Sequence, residues 1–186
     1  MCSLSISTGS TLGLICGSTA DVPSRYDEFA GELGERIGRA GTDLVFGGDG
    51  RGAMGVLVRA AISGGGRVTN VMPHRLLPGR TPVKGCPAYV VQDRTACHQL
   101  VNRLARGFVV LPGGLDAFDG LGAHAAATED QVAPKPIVLA NFDGYFEALV
   151  DQLDRALQDG FITRRQRQAI AAGRTVDEVL RLLGIL

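Results

Sequence analysis

Gly107-Phe-Val-Val-Leu-Pro-Gly-Gly114 reads as a buried strand running into a tight turn. Its apolar residues are continuous rather than alternating, the mark of a strand covered on both faces. Pro112-Gly-Gly114 ends it, and from Leu115 a helix is expected to about Glu129. Working outward, the same succession recurs. Thr11-Leu-Gly-Leu-Ile-Cys16 is a strand that ends in Gly17-Ser18-Thr19, and Tyr26, Phe29, Ala30, Leu33 and Ile37 follow at helical spacing. Ser24 is the expected N-cap of that helix and Gly41 its stop. Asp43-Leu-Val-Phe46 is a second strand, and Gly47-Gly-Asp-Gly-Arg-Gly52 turns into a helix to about Ser63. Arg67–Met72 is a third strand, Pro73–Pro87 a loop, Ala88–Val91 a short strand and Asp93–Ala105 a helix. Pro136–Ala140 is expected as the last strand. A long amphipathic helix carrying Tyr145, Phe146, Leu149, Val150, Leu153 and Leu157 follows, then shorter helices near Thr163–Ala172 and Thr175–Leu183. Strands alternating with helices predict a single α/β domain over residues 11–186, a doubly wound parallel sheet flanked by helices, after a flexible tail over residues 1–10.

Composition narrows the function classes. Lysine plus arginine equal aspartate plus glutamate at 19 each, so the charge excess that draws a protein to nucleic acid is missing. The first residues carry no basic, apolar leader pattern, and no run of about 18 uncharged apolar residues occurs, so a cytoplasmic protein without membrane contact is expected. Cys2, Cys16, Cys86 and Cys97 are too widely spaced for a C-x-x-C motif, and three histidines at these spacings make no metal motif. Reduced thiols, no metal and no cofactor are the expectation.

In doubly wound sheets ligands lie outside the carboxyl ends of the strands. The turns at Gly17, Gly47 and Gly113 are therefore the places for a site. In the second turn Gly50, Gly52 and Gly55 also satisfy G-x-G-x-x-G, where backbone amides can approach an anion at a helix N-terminus. The acidic residue that would hold a dinucleotide's ribose is missing, since no Asp or Glu occurs between Asp49 and Asp93. That stretch instead carries Arg51, Arg59, Arg67, Arg75, Arg80 and Lys84, a local positive bias suited to an anionic ligand or to a solvated surface. Asp116 and Asp119 share a helix face after the Pro112 turn and are candidates for ribose anchor or general base, or simply for N-terminal helix charge. Cys97, His98 and His124 make a looser group with two readings: a histidine from another element, His124, activates the thiol, or the cysteine packs and the histidines make ordinary polar contacts.

The ordered set Cys16-Gly-Ser18, Phe46-Gly-Gly-Asp-Gly-Arg-Gly-Ala-Met-Gly55, Gly65-Gly-Arg-Val-Thr-Asn-Val-Met-Pro73, Val110-Leu-Pro-Gly-Gly114 and Lys135-Pro136 resembles the Lonely Guy (LOG) family. Asn141-Phe-Asp-Gly-Tyr-Phe-Glu-Ala-Leu149 and Asp159-Gly-Phe-Ile162 resemble its C-terminal part. The resemblance implies a Rossmann-like homodimer that hydrolyses the N-glycosidic bond of nucleoside 5′-monophosphates, releasing a base and ribose 5-phosphate. It also implies substrate binding at Gly17, Ser18, Gly47, Gly48, Gly50, Gly52, Met54, Gly113 and Gly114. The family motif P-G-G-x-G-T-x-x-E departs here after its second glycine: Asp116 stands for glycine, Ala117 for threonine and Gly120 for the catalytic glutamate. The family's arginine falls on Cys97, followed by His98, or on Arg94 if a three-residue slip is allowed.

Asp119, Asp116, Arg94, Cys97 and His98 are thus the catalytic candidates. Three readings follow: a divergent enzyme on a nucleotide or sugar-phosphate-like small molecule with an aspartate replacing the glutamate, a site repurposed around Cys97, His98 and Asp119 for other small-molecule chemistry, or a non-catalytic carrier.

Overall fold

The computed structural model describes residues 11–17, 19, 22–76, 83–126 and 135–186. The tail over residues 1–10, Ser18, Arg80 and the end of the helix expected to Glu129 lie outside them. Strands β1 (Thr11–Ile15), β2 (Asp43–Gly47), β3 (Val68–Pro73), β4 (Ala88–Val91), β5 (Gly107–Val110), β6 (Ile137–Ala140) and β7 (Ile170–Gly173) alternate with helices. The helices are α1 (Ser24–Arg39), α2 (Gly52–Ser63), α3 (Arg94–Leu104), α4 (Leu115–Ala126), α5 (Glu147–Gln158), α6 (Arg164–Gln168) and α7 (Val176–Leu182). The strands form one parallel sheet in the order β4-β3-β2-β1-β5-β6-β7. The strand order reverses beside β1, which pairs β2 on one side and β5 on the other, so the switch-point crevice opens past Ile15 and Val110.

Alternate residues of the central strands feed two cores. Leu12, Leu14, Leu44, Phe46, Val109 and Leu111 pack with α1, α2 and α7, while Ile15, Val45, Val71, Phe108 and Val110 pack with α3, α4 and Phe146. Central strands covered on both faces explain why their apolar runs are continuous.

Local details depart from the sequence reading. Pro23, not Ser24, is the N-cap of α1, and Ser24 is its first helical residue. The chain after β6 makes a 3₁₀ turn over Phe142–Gly144, with Asp143 at φ 56°, before α5 begins at Glu147. The largest difference is β7: Ile170-Ala-Ala-Gly173 pairs in parallel with β6 instead of extending α6, so Ile137–Ala140 is not the last strand. An apolar edge beside β6 offers ladder bonds that a five-residue helix cannot match.

The turns after β1 and β5 touch backbone to backbone. A Cβ on Gly113 would lie 2.3 Å from Gly17 N and 2.7 Å from Gly17 Cα. We expect Gly113→Ala to destabilise the fold by about 1–3 kcal/mol through this overlap. Gly122→Ala, whose Cβ on α4 meets nothing within 4 Å, should be neutral or stabilising. Urea unfolding of the two variants checks the contrast, and equal effects would remove the contact explanation.

Candidate functional site

A cleft of about 550 Å³ opens beyond the carboxyl ends of β1 and β2. Three of the segments that line it carry most of the candidate residues. The turn before α2 supplies Gly47, Gly48, Asp49, Arg51 and, inside the helix, Met54; the start of α3 supplies Asp93, Arg94, Cys97 and His98; α4 supplies Asp116, Gly120 and His124. The three α4 residues recur every fourth position and so form one face of that helix. Arg75, after β3, adds another cation at the wall. Asp93 is the N-cap of α3, its side chain accepting from Ala96 N at 2.8 Å, which sets the first turn that carries Arg94.

Arg94 and Asp119 form an ion pair, Nε to Oδ2 at 2.6 Å, and His98 Nε2 lies 3.8 Å from the same oxygen. Both Arg94 and Asp119 are more than half exposed, so the pair adds little to stability and serves mainly to hold the guanidinium in place. Asp119, the candidate next to Gly120 in sequence, is turned toward these two residues and is not among those lining the cavity, whereas Asp116 is. The reason is angular: three residues along a helix leave a 60° offset, enough to separate a wall position from a flank.

Cys97 is 3% exposed and donates its thiol to Val71 O at 3.3 Å. Burial pushes its pKa up to about 11, and the opposing pull of Arg94 is smaller. The thiol donates to a backbone carbonyl and not to a histidine, an arrangement that favours packing over a His-activated nucleophile for Cys97. Cys16, also at the cleft, is pushed up to about 12 by burial and then by the Asp116 charge.

His124 is the buried histidine of the pair. It stacks on Phe108 at 4.3 Å, meets the His98 ring edge-on at 5.5 Å, and its Nδ1 has no hydrogen-bond partner among the described residues. Burial, then the neighbouring His98 and Lys135, lower its pKa to about 4. Burial also lowers His98, against the opposing pull of Asp119. Both imidazoles are therefore neutral at pH 7.

The other sequence candidates divide between two cavities. Gly47, Gly48 and Met54 line the main cleft; Gly50 and Gly52 do not, and instead take positive φ to shape the turn. Gly17, Gly113 and Gly114 line a neighbouring cavity of about 140 Å³ together with Tyr26 and Tyr145. Sequence reasoning missed the ion pair from Arg51 Nε to Asp49 Oδ2 at 2.7 Å, whose carboxylate is 5% exposed, and it gave Tyr145 no part at the site. Asp49 inside a glycine turn was the available signal for the first. Gly120 is held close to β1, since a Cβ there would lie 3.1 Å from Ile15 Cγ2. Among the described residues no group of three or more His, Cys, Asp or Glu side chains is placed to hold a metal ion, and no helix is long and apolar enough to cross a membrane.

A family profile described as "Possible lysine decarboxylase" matches residues 54–183. The chain belongs to the LOG family. It is 32% identical over 173 residues to a cytokinin riboside 5′-monophosphate phosphoribohydrolase of Arabidopsis thaliana, covering 91% of this chain and 80% of that one. A probable enzyme of the same name from Oryza sativa subsp. japonica is 32% identical over 170 residues, covering 90% of this chain and 68% of the relative. Among solved structures, the Moco carrier protein of Chlamydomonas reinhardtii superposes with a TM-score of 0.68 at 19% identity, over 92% of this chain and 93% of that one. The molybdenum cofactor binding protein of Rippkaea orientalis gives 0.70 at 17% identity, over 93% and 94%. At such identities these structures share the LOG-type fold.

Proposed function

We propose that this LOG-family chain hydrolyses the N-glycosidic bond of a nucleoside 5′-monophosphate or a close sugar-phosphate analogue, with Asp116 in the part of the missing glutamate. The observation that carries this reading is the placement of Asp116: it lines the cleft one helical turn before Gly120, while Arg94 lines the same cleft from α3. In the reaction the C1′–N bond breaks with its electron pair leaving on the base, and a water oxygen bonds to C1′. Asp116 takes the water's proton and then passes it to the leaving base. The carboxylate also stabilises the positive charge that develops at the sugar as the bond opens. Arg94, held by Asp119, faces the phosphate, and the cationic Arg75 and Arg51 support an anionic ligand.

AMP hydrolysis is expected to be slow, below about 1 per second, because Gly120 can neither accept a proton nor bind a hydroxyl. Chromatography of AMP, CMP and other nucleoside monophosphates for released base and ribose 5-phosphate tests the reading. Release from none of them would overturn it.

A second reading, a ligand carrier, is supported by Gly120 standing in the place of the catalytic glutamate. Binding of a phosphorylated ligand without turnover would favour it. We also propose a homodimer, supported by Leu115 and Phe118, which stand exposed on α4 at 86% and 43%. Light scattering at micromolar concentration is expected to give twice the chain mass of 19.5 kDa, and a monomer there would count against the dimer.

A further inference from the structure

The turn Asn141–Glu147, between β6 and α5, is built to present one hydroxyl. Asn141 is buried, accepts from Phe146 N at 2.7 Å through Oδ1 and donates through Nδ2 to Glu147 Oε1 at 2.9 Å. Between these anchors Asp143 and Gly144 both take positive φ, which reverses the chain. Arg25 from α1 closes the outside with an ion pair to Asp143 at 3.3 Å. The residue delivered by this bracing is Tyr145. Its ring stands edge-on to Phe146 at 5.0 Å and to Tyr26 at 6.0 Å, and its hydroxyl donates to Gly113 O at 2.9 Å.

That carbonyl belongs to the peptide joining Gly113 to Gly114. In a trans peptide the C=O and the following N–H point in opposite directions, so holding one aims the other. Two successive glycines leave such a peptide free to rotate unless something holds it. Gly113 is wedged against Gly17 on its inner side, and the Tyr145 hydroxyl holds its outer side. Gly114 is exposed and its N–H makes no backbone hydrogen bond among the described residues, while its carbonyl accepts from Ala117 N and Phe118 N to start α4. Two residues on stands Asp116.

We propose that Tyr145 is a positioning residue of the site: by holding the Gly113 carbonyl it fixes the Gly113–Gly114 peptide, the direction of the Gly114 N–H, and the first turn of α4 that carries Asp116. The ligand side of this inference rests on the phosphorylated-ligand reading above, but the orientation of the peptide does not. A phosphate or sugar oxygen arriving between the two cavities meets an N–H already aimed.

Tyr145→Phe keeps the ring and its edge contacts and removes only the hydroxyl. Affinity for AMP, measured by titration calorimetry, is expected to fall about three- to tenfold, the range of one net hydrogen bond. The Gly114 amide cross-peak in a ¹H–¹⁵N spectrum of the unliganded protein is expected to broaden or split, as the peptide gains a second orientation. The melting temperature should hardly move. Tyr145→Leu, which also removes the ring, should add a stability loss to the same spectral change.

A sharp, unshifted Gly114 peak in Tyr145→Phe would overturn the proposal, as would a lowered melting temperature with AMP affinity unchanged. If neither AMP nor inorganic phosphate binds the unmodified protein, the ligand reading fails on its own. The Gly114 resonance then still decides the role of Tyr145.

Discussion

Asp116→Asn is expected to lower turnover of the nucleoside monophosphate processed best by about a hundredfold or more, the usual loss when a positioned proton acceptor is removed. The amide keeps the shape of the carboxylate and an acceptor for Ala117 N, now at 3.0 Å, so the start of α4 survives. Losing a charge in the first helical turn costs only some tenths of a kcal/mol. Activity and stability therefore separate. Asp119→Asn supplies the contrast. It releases Arg94 without removing a group that lines the cleft, so its effect should be a several-fold rise in KM, in keeping with an exposed ion pair worth under about 1 kcal/mol. Steady-state kinetics on both variants settles the roles. If Asp119→Asn abolishes turnover while Asp116→Asn leaves it whole, the carboxylate assignment is reversed.

This contrast marks where sequence reasoning reaches its end. The runs Thr11–Cys16, Asp43–Phe46 and Gly107–Leu111 announced a parallel sheet because strands buried on both faces have no polar alternation to hide them. From those strands the positions of the ligand-bearing turns followed by topology alone. β7 stayed hidden because Ile170-Ala-Ala-Gly173 carries two alanines and a glycine, residues with no preference for a strand, and its pairing partner lies 33 residues away. The site was legible as a set of residues but not as an arrangement. Asp116 and Asp119 look alike in one dimension. Only the docking of α4 on β1, with Gly120 pressed close to Ile15, turns one to the cleft wall and the other to Arg94. Cys97 likewise looks reactive beside histidines until its hydrogen is seen to go to Val71 O. Burial is a tertiary quantity, and it is the largest influence on the titration of Cys16, Cys97, His98 and His124.

His124 shows this most directly, because its neutrality has a measurable consequence for folding. Its folded pKa is lowered to about 4, whereas in the unfolded chain an imidazole titrates near 6.5. Above about pH 6.5 both states are neutral there and the group is silent. As the pH falls from about 6.5 toward 4 the unfolded chain binds a proton that the folded chain refuses, so stability falls through that window by up to about 3 kcal/mol. His98, shifted in the same direction, adds to the slope. His124→Phe should remove the His124 part of this loss. Phenylalanine preserves a flat ring against Phe108, and it discards an Nδ1 that has no partner among the described residues. Replacing such a buried atom by an apolar isostere is neutral or favourable, so the variant should match or exceed the parent at pH 7. Urea unfolding at pH 7, 6, 5 and 4.5 measures the difference between the two proteins, in which the titration of the carboxylates common to both cancels. The gap should widen steadily below pH 6.5 in favour of the variant. A gap that stays constant across that range would mean that His124 takes up its proton in the folded protein as readily as in the unfolded chain, and the buried neutral imidazole beneath the cleft would have to be abandoned.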